Sequence, residues 1–112
     1  MSLEDSFARV ERELQSERAA ALARIAGRLA ELVARLAEMR ARQVSAPGPW
    51  PKEQLEAYRA VREEARLYRW YLEVQREALG LRRHDGLDEH YPIPGEIEAR
   101  ETEADLPRKR GG

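Results

Sequence analysis

Six arginines, Arg59, Arg62, Arg66, Arg69, Arg76 and Arg83, recur at spacings of three, four and seven residues. On a helix such spacings gather the guanidiniums within about 120° of arc. Guanidinium forks bind phosphate and carboxylate groups through paired N–H donors. Trp70 borders the stripe and offers a ring on which a base could stack. The stripe therefore fits an acidic protein partner, with nucleic acid as the less favoured alternative. Glu73 interrupts it and Glu77 borders it, as in any solvated face of an Arg-rich helix. A pI near 6.2 also argues against nucleic acid, whose binding domains are strongly basic.

A second cluster, His84, Asp85, Asp88, Glu89 and His90, has the side chains of a metal site. Its spacing does not follow. The two histidines straddle an Asp-Gly pair and match neither a zinc pattern nor the Glu-x-x-His pairs of di-iron bundles. No metal or other cofactor is expected. A third candidate, Tyr91-Pro92-Ile93-Pro94, is a Pro-flanked apolar segment of the kind that docks into grooves, on a partner or on its own chain. No residue is read as catalytic. Ser2, Ser6, Ser16 and Ser45 have no base nearby in sequence, and no Gly-rich phosphate loop or nucleophile elbow occurs. The chain reads as non-enzymatic.

These groups must be carried by helices. The 112 residues are 37% charged and only 6% aromatic, a composition of long helices and coiled coils. Apolar residues recur at Leu3, Phe7, Val10 and Leu14, and again at Leu22, Ile25, Leu29, Leu32, Leu36 and Met39. Both runs are heptad seams. They are out of phase by one residue, and Arg18 falls at the join, an eleven-residue step that relaxes the left-handed supercoil. The outer pairs Glu31–Arg35 and Glu38–Arg42 mark a self-neutralised face. One helix over about 3–44 is expected. Pro47, Gly48, Pro49 and Pro51 then form a turn over 45–51, with Trp50 placed to staple onto Leu55 or a neighbour.

A second helix is expected from about 52 to 84, although Gly80 could end it near Leu79. Antiparallel pairing about the turn places Leu29 opposite Leu67 and Leu36 opposite Ala60. Ala57, Ala60, Val61, Leu67, Tyr68, Tyr71, Leu72, Val74, Ala78 and Leu79 spread over roughly 160° of this helix. One partner helix does not cover so wide an arc. The expected architecture is all-α: an antiparallel, coiled-coil-like two-helix hairpin over residues 1–86 that dimerises into a four-helix bundle. Leu67, Tyr68, Tyr71, Val74 and Ala78 are the residues expected to carry self-association.

Residues 87–95 are expected to be extended, because Pro92 and Pro94 turn the residues before them away from helix. Residues Leu87 to Ile93 would cover Leu3, Phe7 and Val10, which overhang the second helix. A flexible tail, acidic and then basic, is expected over 96–112. Residues 1–84 carry 16 bases and 13 acids, whereas 85–105 carry eight acids and Arg100 alone. That division suggests the acidic segment folds back and screens the Arg stripe.

Trp50 at the turn and the length of the chain invite comparison with the secreted WXG-type hairpins. Pro51 and Lys52 follow that tryptophan, and Gly95 rather than an acid stands four residues after Tyr91, so no family is assigned. With no cysteine, no long apolar run and acids at Glu4 and Asp5, the chain reads as a cytoplasmic protein without a membrane segment. The expected function is a protein–protein interaction or assembly module. It would self-associate as a homo-oligomer and present the Arg stripe and C-terminal tail to a protein partner.

Overall fold

The computed structural model describes residues 2–46 and 48–97. Helix α1 spans Leu3–Ser45, α2 spans Lys52–Ala78, and a single turn, α3, spans Leu87–His90. Among the described residues no strand forms, and α1 and α2 pack against each other as a hairpin.

Helix α1 starts where Ser2 Oγ accepts the Asp5 N–H at 3.1 Å. Glu4 and Asp5 then place negative charge at the positive end of the helix dipole. At the far end, the Ala46 N–H reaches back to Arg42 and Gln43, and Gln43 Nε2 donates to the Gly48 carbonyl at 3.0 Å. Gly48 takes φ +126°, which side-chain-bearing residues rarely adopt.

Helix α2 ends at Ala78 with Leu79 as its C-cap, at the earlier of the two ends the sequence allows and six residues short of His84. Leu81 N–H donates to the Arg76 carbonyl and Gly80 N–H to the Glu77 carbonyl, both at 2.9 Å. With Gly80 at φ +83°, this is the paired closure of a Schellman motif. Leu81 continues the apolar spacing, but the left-handed glycine ends the helix before that spacing can act.

Three contacts fix the register. Arg18 Nη1 donates to the Ala78 carbonyl at 3.5 Å, Arg28 grips Glu64 at 2.7 Å, and Arg40 Nε donates to Tyr58 Oη at 2.9 Å. Arg18 is therefore level with the end of α2. The phase change in α1 coincides with the point at which its partner stops.

The core takes Leu29, Leu32 and Leu36 from α1, and Leu55, Tyr58, Val61, Ala65 and Leu72 from α2. Trp50, Leu87 and Ile97 complete it. The inward stripe of α2 is thus centred on Tyr58, Val61, Ala65 and Leu72. Leu67 and Ala60, expected opposite Leu29 and Leu36, are exposed instead. The wide apolar arc of α2 comprises two faces, and only one meets α1.

The segment after α2 goes the other way from that expected. It does not cover the overhang: Leu3 and Phe7 remain 74% and 67% exposed. Instead it returns along the hairpin toward the turn. Leu87 is buried beside a cavity that it lines with Leu22, Ala26 and Leu72. Residues 87–90 form one helical turn, where extended chain was expected, and His90 N–H closes onto the Gly86 carbonyl at 3.1 Å. Over the described residues from Tyr91 to Ile97 the chain is free of regular structure, as the two prolines require. Glu96 and Ile97, placed by sequence in a flexible tail, lie against the hairpin, with Ile97 buried in the core; residues 98–112 lie outside the described residues.

Candidate interaction surfaces

The arginine stripe is occupied from within. Arg62 is only 15% exposed; its Nε donates to the Pro94 carbonyl at 2.8 Å, and Nη1 reaches Glu96 at 3.4 Å. Arg69 donates to Asp88 at 2.6 Å. Its Nε is buried 3.5 Å from Glu73 without a hydrogen bond, so it contributes charge attraction alone. Arg66 pairs with Glu63 at 3.1 Å. Arg76 ties the chain beyond α2, through the Arg83 carbonyl at 2.7 Å and His84 Nδ1 at 3.4 Å. Arg59 and Arg83 are exposed. Three of the six guanidiniums thus hold the returning chain; among the described residues, Asp88 pairs with Arg69 and Glu96 with Arg62. A cleft of about 370 Å³ remains between Arg66, Trp70 and Ile93.

Tyr91, Ile93 and Pro94 are half-buried in this return path, and Pro92 is exposed. Tyr91 and Ile93 pack on the core. The groove used by the Pro-flanked segment is on its own chain.

Tyr58 is the junction that sequence reading missed. It is fully buried, its hydroxyl donates to the Gly95 carbonyl at 3.0 Å, and it accepts from Arg40. Arg40 lies over the ring, 5.4 Å from its centre, and also donates to Gly95. Trp50 packs against the same ring, tilted, with centroids 5.0 Å apart. The staple at the turn is thus made with Tyr58, while Leu55 is buried in the same core. One side chain joins α1, the turn, α2 and the returning segment. Its spacing from Val61 and Ala65 was the available signal.

The histidines do not converge. His84 Nε2 is 3.2 Å from Glu77, and His90 Nδ1 is 3.1 Å from the Gly86 carbonyl. Among the described residues no three His, Cys, Asp or Glu side chains are grouped to hold a metal. Elsewhere, Glu64 and then Glu31 hold the Arg28 guanidinium further toward its charged form through hydrogen bonds.

The unsatisfied surface is apolar. Leu67, Trp70, Tyr71 and Val74 are 37% to 58% exposed, and Ala78 continues the ridge. Tyr71 is braced edge-on by Tyr68 at 5.5 Å and by Trp70 at 5.6 Å. Tyr68 itself is half-buried against the core, so of the five expected residues it is the one facing inward. Trp70 belongs to the ridge and was assigned to the stripe by sequence. The second such surface is the overhang of α1, where Leu3, Phe7, Val10 and Leu14 are 46% to 74% exposed. No helix among the described residues is long and apolar enough to cross a membrane.

No protein-family model matches the chain, and no curated protein or solved structure is measurably similar to it.

Proposed function

We propose that this chain is a non-enzymatic assembly module that self-associates through the outer face of α2. The supporting observation is the ridge Leu67, Trp70, Tyr71 and Val74, apolar and exposed on a small hairpin. Grouped apolar side chains of this size on a small protein mark interaction sites. A cytoplasmic homo-oligomer, with Arg59, Arg66 and the chain around Pro92 presented to a protein partner, is the reading that these surfaces support.

Replacing Leu67 and Tyr71 together by Glu is the direct test. The double variant should sediment as a 12.9 kDa monomer at concentrations where the parent chain forms larger species, with its helix content kept. A parent chain that is monomeric at millimolar concentration would overturn the proposal.

One observation favours a second reading, a nucleic-acid-associated regulator: Asp88 and Glu96 lie on the stripe as a cover that could lift. Asp88→Asn with Glu96→Gln removes the charge of that cover. We expect no DNA retention by this variant at physiological salt. Binding that emerges and falls steeply with added salt would transfer the function to the second reading.

A further inference from the structure

The overhang of α1 has the pattern of one strand of a coiled coil. Arg18 is level with Ala78, so the helix from Leu3 to Arg18 runs about 22 Å past the end of α2. Leu3, Phe7, Val10 and Leu14 follow the 4-3-4 steps of a heptad seam, and all four are 46% to 74% exposed. The segment after α2 returns toward the turn and leaves them open.

The positions beside this seam carry one sign of charge. In heptad order Glu4 and Glu11 take one flank, and Ser6 and Glu13 take the other. Arg9 and Arg12 lie about 130° and 170° from the seam, on the opposite face. Residues 2–17 hold five acids and two arginines, net −3, whereas residues 18–97 hold 14 bases and 12 acids, net +2. Flanking charges select the partner of a coiled-coil strand, because unlike charges attract across the seam and like charges reject.

We infer that the overhang takes a helix of a different protein, one with an apolar seam and with Lys or Arg at the positions flanking it. This site is separate from the α2 ridge, and the chain would then carry two interaction surfaces.

Other occupants meet specific obstacles. Residues 98–112 hold a single large apolar side chain, Leu106, followed by Pro107, and cannot fill a seam of four. A second copy fails in both directions. Laid antiparallel, Leu3 meets Leu14 and Phe7 meets Val10. The flanks then set Glu4 against Glu11, Glu11 against Glu4 and Ser6 against Glu13, with no attractive pair among them. Laid parallel, Glu13 would face Arg18 of the other copy, but Arg18 already reaches the Ala78 carbonyl at 3.5 Å. On a wheel the seam lies within about 50° of the stripe that α1 buries against α2. A parallel copy would therefore drive its own α1 into the place of α2 from that level onward. A basic helix of another protein needs only to end there.

The contact is small. Two heptads bury one face of the overhang, which belongs to the weak, transient class of interfaces. In such a contact the flanking charges contribute chiefly to selectivity and to the rate of encounter.

Two synthetic peptides of about two heptads test the site, both with Leu along the seam, one with Lys and one with Glu at every flanking position. Each is titrated to millimolar concentration into the isotope-labelled full chain and followed by amide NMR shifts. The Lys peptide should shift residues 3–18 and leave 67–78 unmoved. Its affinity should fall about tenfold as salt rises from about 20 to about 300 mM. The Glu peptide should bind at least about tenfold more weakly. Phe7→Ser with Val10→Ser keeps every charge and should abolish the shifts. Glu4→Lys with Glu11→Lys and Glu13→Lys should reverse the preference, so that the Glu peptide binds and the Lys peptide does not. No shift with the Lys peptide at millimolar concentration overturns the inference, and so does equal binding of the two peptides. Binding kept by the Phe7→Ser, Val10→Ser chain would reduce the site to charge attraction and overturns the seam. A parent chain that sediments as a dimer, and loses that state in the same variant, would place a second copy on the overhang and overturns the inference as well.

Discussion

Tyr58→Ala should destabilise the hairpin by about 3–5 kcal/mol, in the range found for deleting buried aromatic side chains. Domains of this kind have only about 5–15 kcal/mol in total, so thermal or urea unfolding should show the loss directly. The ring is fully buried in contact with Trp50 and Arg40, and nothing in a two-helix layer can close over the space it leaves. Its removal also takes a hydrogen bond from Arg40 and one from Gly95. Tyr58→Phe separates the two contributions. That variant keeps the ring and should lose only about 1–2 kcal/mol, the usual cost of one hydroxyl whose partners stay partly buried. Equal losses for the two variants would show that the hydroxyl, rather than the ring, holds the junction.

Leu87→Ala should act locally. Leu87 is buried at the start of the return path, beside Leu22, Ala26 and Leu72. Truncating a buried leucine costs about 2–5 kcal/mol, which is large against the few contacts that dock this segment. The segment should detach while α1 and α2 remain paired through Leu29, Leu32 and Leu36. Amide hydrogen exchange separates the cases: residues 87–97 should lose protection by a hundredfold or more, and the middle of α1 should keep its own. Uniform loss along the chain would show that the returning segment and the hairpin unfold as one unit.

The helices and their pairing were legible in residue spacing. Heptad seams mark α1, three prolines and a glycine mark the turn, and the register implied by a tight turn places Arg18 opposite Ala78, as the hydrogen bond between them shows. Which residues of α2 face inward was less legible. Leu67 and Val61 are both apolar, and an arc of about 160° gives no reason to prefer one. Tyr58 decides it, because a ring that fills the space beside Trp50 sets the rotation of the whole helix. The return path was read with the wrong direction. Apolar cover for the overhang and apolar cover for the groove between the helices are equally plausible on hydrophobicity alone. The difference lies in directional contacts, Arg62 with the Pro94 carbonyl and Arg69 with Asp88, between residues 19 and 32 positions apart. No local pattern encodes them. The end of α2 shows local chemistry overriding periodicity: Leu81 keeps the spacing, and Gly80 stops the helix.

A simple hairpin brings its two ends together. Here Gly95 meets Arg40 near the turn, while Ser2 caps the opposite tip of α1. At 1.5 Å per residue those points are separated by about 57 Å. Ser2 and the returning segment at Gly95 are therefore held at opposite poles of a stiff rod. A donor and acceptor dye placed at positions 2 and 96 would report that separation.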